Sequence, residues 1–140
     1  MSAGIRFLLD TNVISELQKR QPNPLVLSFL KSVPGSRLFL SVLTLGELRK
    51  GAFVKRDSDP AMYNHYSTWI DTLQHIYSDR VLDVDTATAT LWGELSAGRS
   101  RPVVDTLLAA TAIAHDLTLT TRNTADFTGL SVKLLNPWQV

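Results

Sequence analysis

The strongest constraint in this chain is an alternation in which short apolar runs, each too brief for a helix, precede longer segments whose apolar residues recur at helical spacing. Residues 5–9 are apolar apart from Arg6 and stop at Asp10. A run of that kind suits a strand buried on both faces. From Asn12, the spacing of Val13, Ile14 and Leu17 is helical. Gln21-Pro22-Asn23-Pro24 breaks it before Leu25, Leu27, Phe29 and Leu30 begin a second helix, and Pro34-Gly35 marks a turn. Residues 37–40 read as a second strand, after which Ser41 is placed to cap a helix with Leu43, Leu45, Leu48, Ala52 and Phe53 as its apolar stripe. Asp59-Pro60 opens a longer helix in which Met62, Tyr66, Trp69, Ile70, Leu73 and Ile76 are expected to face inward. A third strand at 80–84 leads to a helix capped by Asp85, with Leu91, Trp92 and Leu95 inward, then a loop at 96–102 and a helix at 105–115. Residues 117–121 and, more weakly, 132–135 supply the last strands. Parallel neighbours need crossover connections, usually helices, so the pattern predicts an α/β fold with a mostly parallel sheet covered on both faces.

At 140 residues, 44% hydrophobic and 19% charged, the chain has the size of one globular domain spanning 1–140, since domains typically run roughly 100 to 200 residues. Without cysteine there is no disulfide framework, thiol nucleophile or Cys-containing zinc site, and a reducing compartment is permitted. The 14 Lys+Arg against 13 Asp+Glu leave a formal charge of +1, so any nucleic-acid contact has to come from local patches. No apolar run approaches the roughly 18 residues of a membrane span. The N-terminal segment carries none of the regions of a signal peptide, and a soluble, cytoplasmic protein is expected.

In open parallel sheets, ligands bind beyond the carboxyl ends of the strands near the point where strand order reverses. Acids gather at that edge. Asp10 closes the first strand, Glu47 lies in the helix after the second, Asp105 opens the helix before the fourth, and Asn123 and Asp126 follow the fourth. Each has a plainer reading. Asp10 and Asp105 both stand where Asp serves as a helix cap. Thr44-Leu45-Gly46-Glu47 matches a capping box, although Ser41 is the better cap because a start at Thr44 would discard Leu43 from the stripe. Asp126, after the polar Arg122-Asn123-Thr124, reads as a turn or cap residue. As a cluster, carboxylates drawn together repel and raise one another's pKa values unless a cation or proton offsets the charge. An oxygen-only set with neither Cys nor paired His favours Mg²⁺ or Mn²⁺. Such an ion lowers the pKa of bound water and stabilises charge on a phosphoryl oxygen, which points to phosphodiester hydrolysis. His65, His75 and His115 lack ligand spacing and belong to helix surfaces or ends. The glycines form neither G-x-G-x-x-G nor a P-loop, leaving nucleotide cofactors unsupported.

Four ordered stretches carry a resemblance that covers nearly the whole chain. They are Phe7-Leu8-Leu9-Asp10-Thr11-Asn12-Val13-Ile14-Ser15-Glu16, Leu40-Ser41-Val42-Leu43-Thr44-Leu45-Gly46-Glu47-Leu48, Arg101-Pro102-Val103-Val104-Asp105-Thr106-Leu107-Leu108-Ala109-Ala110-Thr111-Ala112 and Leu119-Thr120-Thr121-Arg122-Asn123-Thr124-Ala125-Asp126-Phe127. In these the sequence resembles PIN-domain ribonucleases, above all the VapC/FitB-like toxin branch. The resemblance implies a three-layer α/β/α sandwich that cleaves RNA with Mg²⁺ or Mn²⁺, is held inactive by a cognate antitoxin, and forms a homodimer. It places Asp10, Glu47 and Asp105 on the three most regular acidic positions. A fourth acid commonly follows the Thr-Arg of the last stretch; here Asn123 stands there, with Asp126 three residues on. One firm metal site is therefore expected, and a second that fills only with substrate phosphate present. Thr11, Asn12 and Thr121 would support the ligands through hydrogen bonds, or serve in ordinary caps and turns. Arg99, Arg101 and Arg122 flank the rim and are read as phosphate contacts, or as solvated loop charges.

Two other readings compete. A receiver domain is also a small parallel α/β unit with carboxylates and Mg²⁺ at strand ends, but it wants an acidic pair after strand one, where this chain has Asp10-Thr11-Asn12. A catalytically idle PIN-like binding module is opposed by the three intact acids.

Overall fold

The computed structural model describes residues 4–139. Five strands, β1 (Phe7–Leu9), β2 (Leu38–Ser41), β3 (Val81–Leu82), β4 (Thr118–Thr120) and β5 (Leu134–Leu135), form one sheet in the order β3-β2-β1-β4-β5. Every pairing is parallel, with Leu8 opposite both Phe39 and Leu119. The sheet is thus wholly parallel; the first three crossovers carry α-helices, and the last, from β4 to β5, carries only a short 3-10 turn (Thr124–Phe127). Six α-helices are described: α1 (Thr11–Glu16), α2 (Pro24–Ser32), α3 (Val42–Phe53), α4 (Pro60–Ile76), α5 (Thr86–Ser96) and α6 (Val103–Ala114).

The pleat of β1 divides the core. Successive side chains point to opposite faces, so Leu9 enters a cluster with Val13, Ile14, Leu45, Leu48 and Ile70 from α1, α3 and α4. Leu8 enters a second cluster with Leu108, Ala109 and Ala112 of α6 and with Phe127. Leu8 and Leu9 are both fully buried. That explains the unbroken apolar run and gives three layers, with α1–α4 on one face and α6, backed by α5, on the other.

Several elements depart from the sequence expectation. α1 begins at Thr11, and Leu17 lies beyond its end, partly exposed. Arg37 belongs to a short 3-10 turn (Gly35–Arg37), so β2 starts at Leu38. In α4, Ile70 and Leu73 are buried, whereas Met62 and Ile76, read as inward, are 37% and 57% exposed because the apolar stripe outruns the contact with α3. Phe53 is likewise exposed, with the Arg56 guanidinium over its ring and Tyr63 packed against it in a T-shaped pair. β3 and β5 are two residues each. α6 starts two residues before Asp105, with Pro102 at its N-cap. No helix among the described residues is long and apolar enough to cross a membrane.

Candidate functional site

From β1 the chain steps one way to β2 and β3 and later returns to the other side for β4 and β5. The strand order reverses between β1 and β4, where the carboxyl ends leave a crevice. Asp10 follows β1 directly, and its backbone N–H still donates to the Thr120 carbonyl at 2.9 Å. Extended backbone at Asp10 makes it the N-cap of α1, with Oδ1 accepting from the Thr11 N–H at 2.7 Å. The cap reading of Asp10 therefore holds. Its other oxygen, Oδ2, accepts the Thr121 hydroxyl at 2.8 Å.

Thr121 organises this floor. Fully buried after β4, it gives its one hydroxyl proton to Asp10 and accepts from the Asn12 amide at 3.2 Å and from the Asn123 backbone N–H at 3.1 Å. A hydroxyl has one donor and two lone pairs, so its capacity is filled. Asn12 turns its carbonyl the other way, accepting from the Arg122 N–H at 3.2 Å, and so ties the start of α1 to the segment after β4. Thr11 reaches across to α3, donating to Glu47 Oε1 at 2.7 Å.

Ser41 caps α3 through the Leu43 N–H at 3.0 Å, so Thr44 and Glu47 form no capping box and the exposed Glu47 carboxylate is held by Thr11. Helix α6 runs back across the sheet, which sets its N-terminal turn at the carboxyl edge. Asp105 lies inside that turn, half-buried, and caps nothing. Burial pushes the carboxyl of Asp10 above its ordinary range; the Thr121 and Thr11 donors oppose this, and the charges of Glu47 and Asp105 add to it. Asp105 is raised by burial first, then by the charges of Asp126 and Glu47. The acids of four separated segments thus feel one another's charge.

A divalent cation suits this donor set in kind, because carboxylate and carbonyl oxygens that repel one another are what a hard cation binds. Among the described residues no three such side chains already close on one point. Glu47 is the exposed and longest of these arms, and only its Oε1 is taken by Thr11, which leaves Oε2 for an ion. Asp126 lies in a 3-10 turn (Thr124–Phe127) and, though exposed, is close enough to act on Asp105. Asn123 holds the floor through its backbone N–H, and its residue is exposed.

The three arginines read as phosphate contacts are placed differently from one another. Arg101 is engaged with the loop after the 3-10 turn: Nη1 approaches the Thr128 carbonyl at 3.5 Å, and a Cβ at Gly129 would stand 3.3 Å from Nη2. Gly129 also has φ +87°, so a side chain there is disfavoured twice. The Arg122 guanidinium lies over the Trp138 ring, 5.3 Å from its centroid. Arg99 is exposed beside the same Gly129 loop. None of the three is bonded to the acids. Nor are the histidines: His65 and His75 are exposed, and His115 ends α6 with its carbonyl taken by Arg6 at 2.6 Å.

The sequence reading gave no separate role to Glu16. Its side chain is 4% exposed, paired with Lys19 at 2.9 Å, and accepts the Asn23 N–H at 2.8 Å, closing the loop between α1 and α2. Those contacts hold its carboxyl below the usual range, Lys19 contributing most. Its position at the end of α1 gave no signal of that loop contact.

The sequence profile of the PIN domain matches residues 7–130. This chain belongs to the PIN-domain family. Among relatives of this PIN protein, Toxin FitB of Neisseria gonorrhoeae is 32% identical over 136 residues, covering 94% of this chain and 97% of the toxin. A VapC ribonuclease of Sinorhizobium fredii is 31% identical, with 94% and 97% covered. The crystal structure of FitAcB from Neisseria gonorrhoeae superposes with a TM-score of 0.86 at 31% identity, over 96% of this chain and 99% of that one. The strand order also removes the receiver reading, since a receiver sheet runs 2-1-3-4-5 and this sheet runs 3-2-1-4-5.

Proposed function

We propose that this PIN domain is an endoribonuclease dependent on Mg²⁺ or Mn²⁺, acting in the cytoplasm as the toxin of a toxin–antitoxin pair. The observation that supports the reading is that Asp10, Glu47 and Asp105 lie near enough at the β1/β4 crevice to act on one another's charge, which adds to the burial that pushes both aspartate carboxyls up. Likeness to a protein named VapC ribonuclease supports the reaction, and likeness to one named Toxin FitB supports the role.

Asp10, Glu47 and Asp105 would hold the ion, with Asp126 or the carbonyl of Asn123 completing it. Bound there, the ion would supply an activated water and charge stabilisation on the phosphoryl oxygen. Thr121 and the Thr11 N–H fix Asp10 so that its orientation costs nothing at the moment of reaction. Thr11 holds Glu47 at the rim, and the exposed Arg99, whose guanidinium has no acid partner among the described residues, would meet a phosphate from solvent. A cognate antitoxin would be the protein partner and a second copy of the chain the assembly partner. The test is incubation with cellular RNA and Mg²⁺ or Mn²⁺, then with EDTA. Cleavage is expected only with the ion and is lost in Asp10→Asn; full-rate cleavage in EDTA would overturn the reading.

A further inference from the structure

We propose that the groove between α1, α3 and α4 is a base-binding subsite, taking one unpaired base of an RNA strand whose backbone crosses the acidic rim. The choice of RNA rests on the nuclease reading above; the groove itself does not. It encloses about 300 Å³ and is lined at once by Thr11 and Glu47 of the acidic site, by Gln18, by the aromatic rings of Tyr66 and Trp69, and by Lys55. Gly51 stands one helical turn beyond Glu47 on α3, and Lys55 follows in the turn that leaves the end of that helix, lining the same groove. A Cβ at Gly51 would meet nothing within 4 Å, and its backbone is helical without a positive φ. Neither packing nor backbone strain therefore demands a glycine there, although glycine weakens a helix interior. What the missing side chain does is leave open the stretch between the carboxylate of Glu47 and the ammonium of Lys55.

The chemistry of the lining selects the occupant. Tyr66 and Trp69 are half-buried, their inner sides packed on the core beside Ile70, so each keeps part of its ring accessible. Every base has a π-face that stacks on such a ring, without regard to sequence. Gln18 carries a donor and an acceptor suited to a base edge. Lys55 is exposed and makes no ion pair among the described residues, which leaves it for a backbone phosphate. A strand with its reacting phosphate at Glu47 would so place a neighbouring base in the groove.

The test measures binding in EDTA, where nothing is cleaved, by fluorescence anisotropy with a short labelled single-stranded RNA in which an abasic sugar is stepped along the strand. One abasic position is expected to weaken binding to the parent protein roughly 5- to 150-fold, the equivalent of one base–aromatic stack. Gly51→Leu, which adds a good helix former and fills the groove, should bind the intact RNA more weakly by a like factor and no longer distinguish the abasic strand. Trp69→Leu should behave similarly, with thermal melting checking both folds. Lys55→Ala should reduce the slope of log affinity against log salt by roughly 0.7, the share of one phosphate on a single strand. The proposal is overturned if no abasic position matters or if the penalty persists in Gly51→Leu. It is also overturned if Gly51→Leu binds RNA as the parent does and instead loses the antitoxin, which would assign the groove to the protein partner. If the abasic pattern appears as expected and the parent cleaves nothing with Mg²⁺ or Mn²⁺, the subsite stands and the nuclease reading falls.

Discussion

Replacing Thr121 with valine removes one oxygen and keeps the shape, which makes it the sharpest probe of the floor beneath the acids. In the parent, that hydroxyl donates to Asp10 Oδ2 at 2.8 Å inside a residue with no exposed surface. A hydrogen bond to a charged group contributes roughly 1.5–3 kcal/mol. The substitution also strips the acceptor from the Asn12 amide and the Asn123 N–H. Both belong to residues open enough for water to replace part of the loss, so a total of about 2–4 kcal/mol is expected at neutral pH. For a chain of this size that is roughly 6–12 °C in melting temperature. The effect carries a pH signature. Thr121 stabilises the ionised carboxylate and lowers the pKa of Asp10 against the upward push of burial. Its loss raises that pKa further, so the difference between parent and variant is full above the Asp10 titration and shrinks as pH falls through it. Urea denaturation of Thr121→Val and Thr121→Ser in EDTA, at several pH values, measures this directly; Thr121→Ser should track the parent. A Thr121→Val midpoint equal to the parent's at neutral pH, or a gap that does not narrow in acid, would refute the reasoning.

Asp105→Asn should fold with little change in stability, because Pro102 holds the N-cap and the lost charge relieves repulsion from Asp126 and Glu47. Cleavage should drop roughly 100-fold or more with the loss of a ligand charge; calorimetry of Mn²⁺ binding beside an RNA assay checks both. Arg101→Met keeps the packed stem but removes the guanidinium from Thr128 and Gly129, so backbone amides of the 3-10 turn at Thr124–Phe127 should exchange faster, with weaker metal binding through Asp126. Glu16→Gln should cost about 1–2 kcal/mol at neutral pH. Because the folded pKa of Glu16 is depressed, its contribution is present above the unfolded pKa and lost as pH falls through the folded one, so the parent and the variant should converge in acid unfolding curves.

The order and type of the elements were legible in the sequence, because periodicity and caps are local properties of the backbone. The apolar run through Leu8 and Leu9 announced a strand buried on both faces, and Ser41, Asp59 and Asp85 announced helix starts at which each side chain does accept a backbone N–H. Asp10 was legible twice over, as a cap and as a rim acid. Periodicity does not say how far a neighbour extends, and Phe53, Met62 and Ile76 continue an apolar stripe past the contact that would bury it. Only the tertiary structure decided that β4 lies beside β1, which brings Thr121 under Asp10 across 111 positions of sequence. It alone committed Arg101 to the Gly129 loop and left the stretch beside Gly51 open between Glu47 and Lys55. The physical reason is range. Helical hydrogen bonds, caps and the side-chain periods of helix and strand involve residues a few places apart, whereas the site is made where the strand order reverses, and that reversal is set by strand pairing, crossovers and core packing between segments that do not adjoin in sequence.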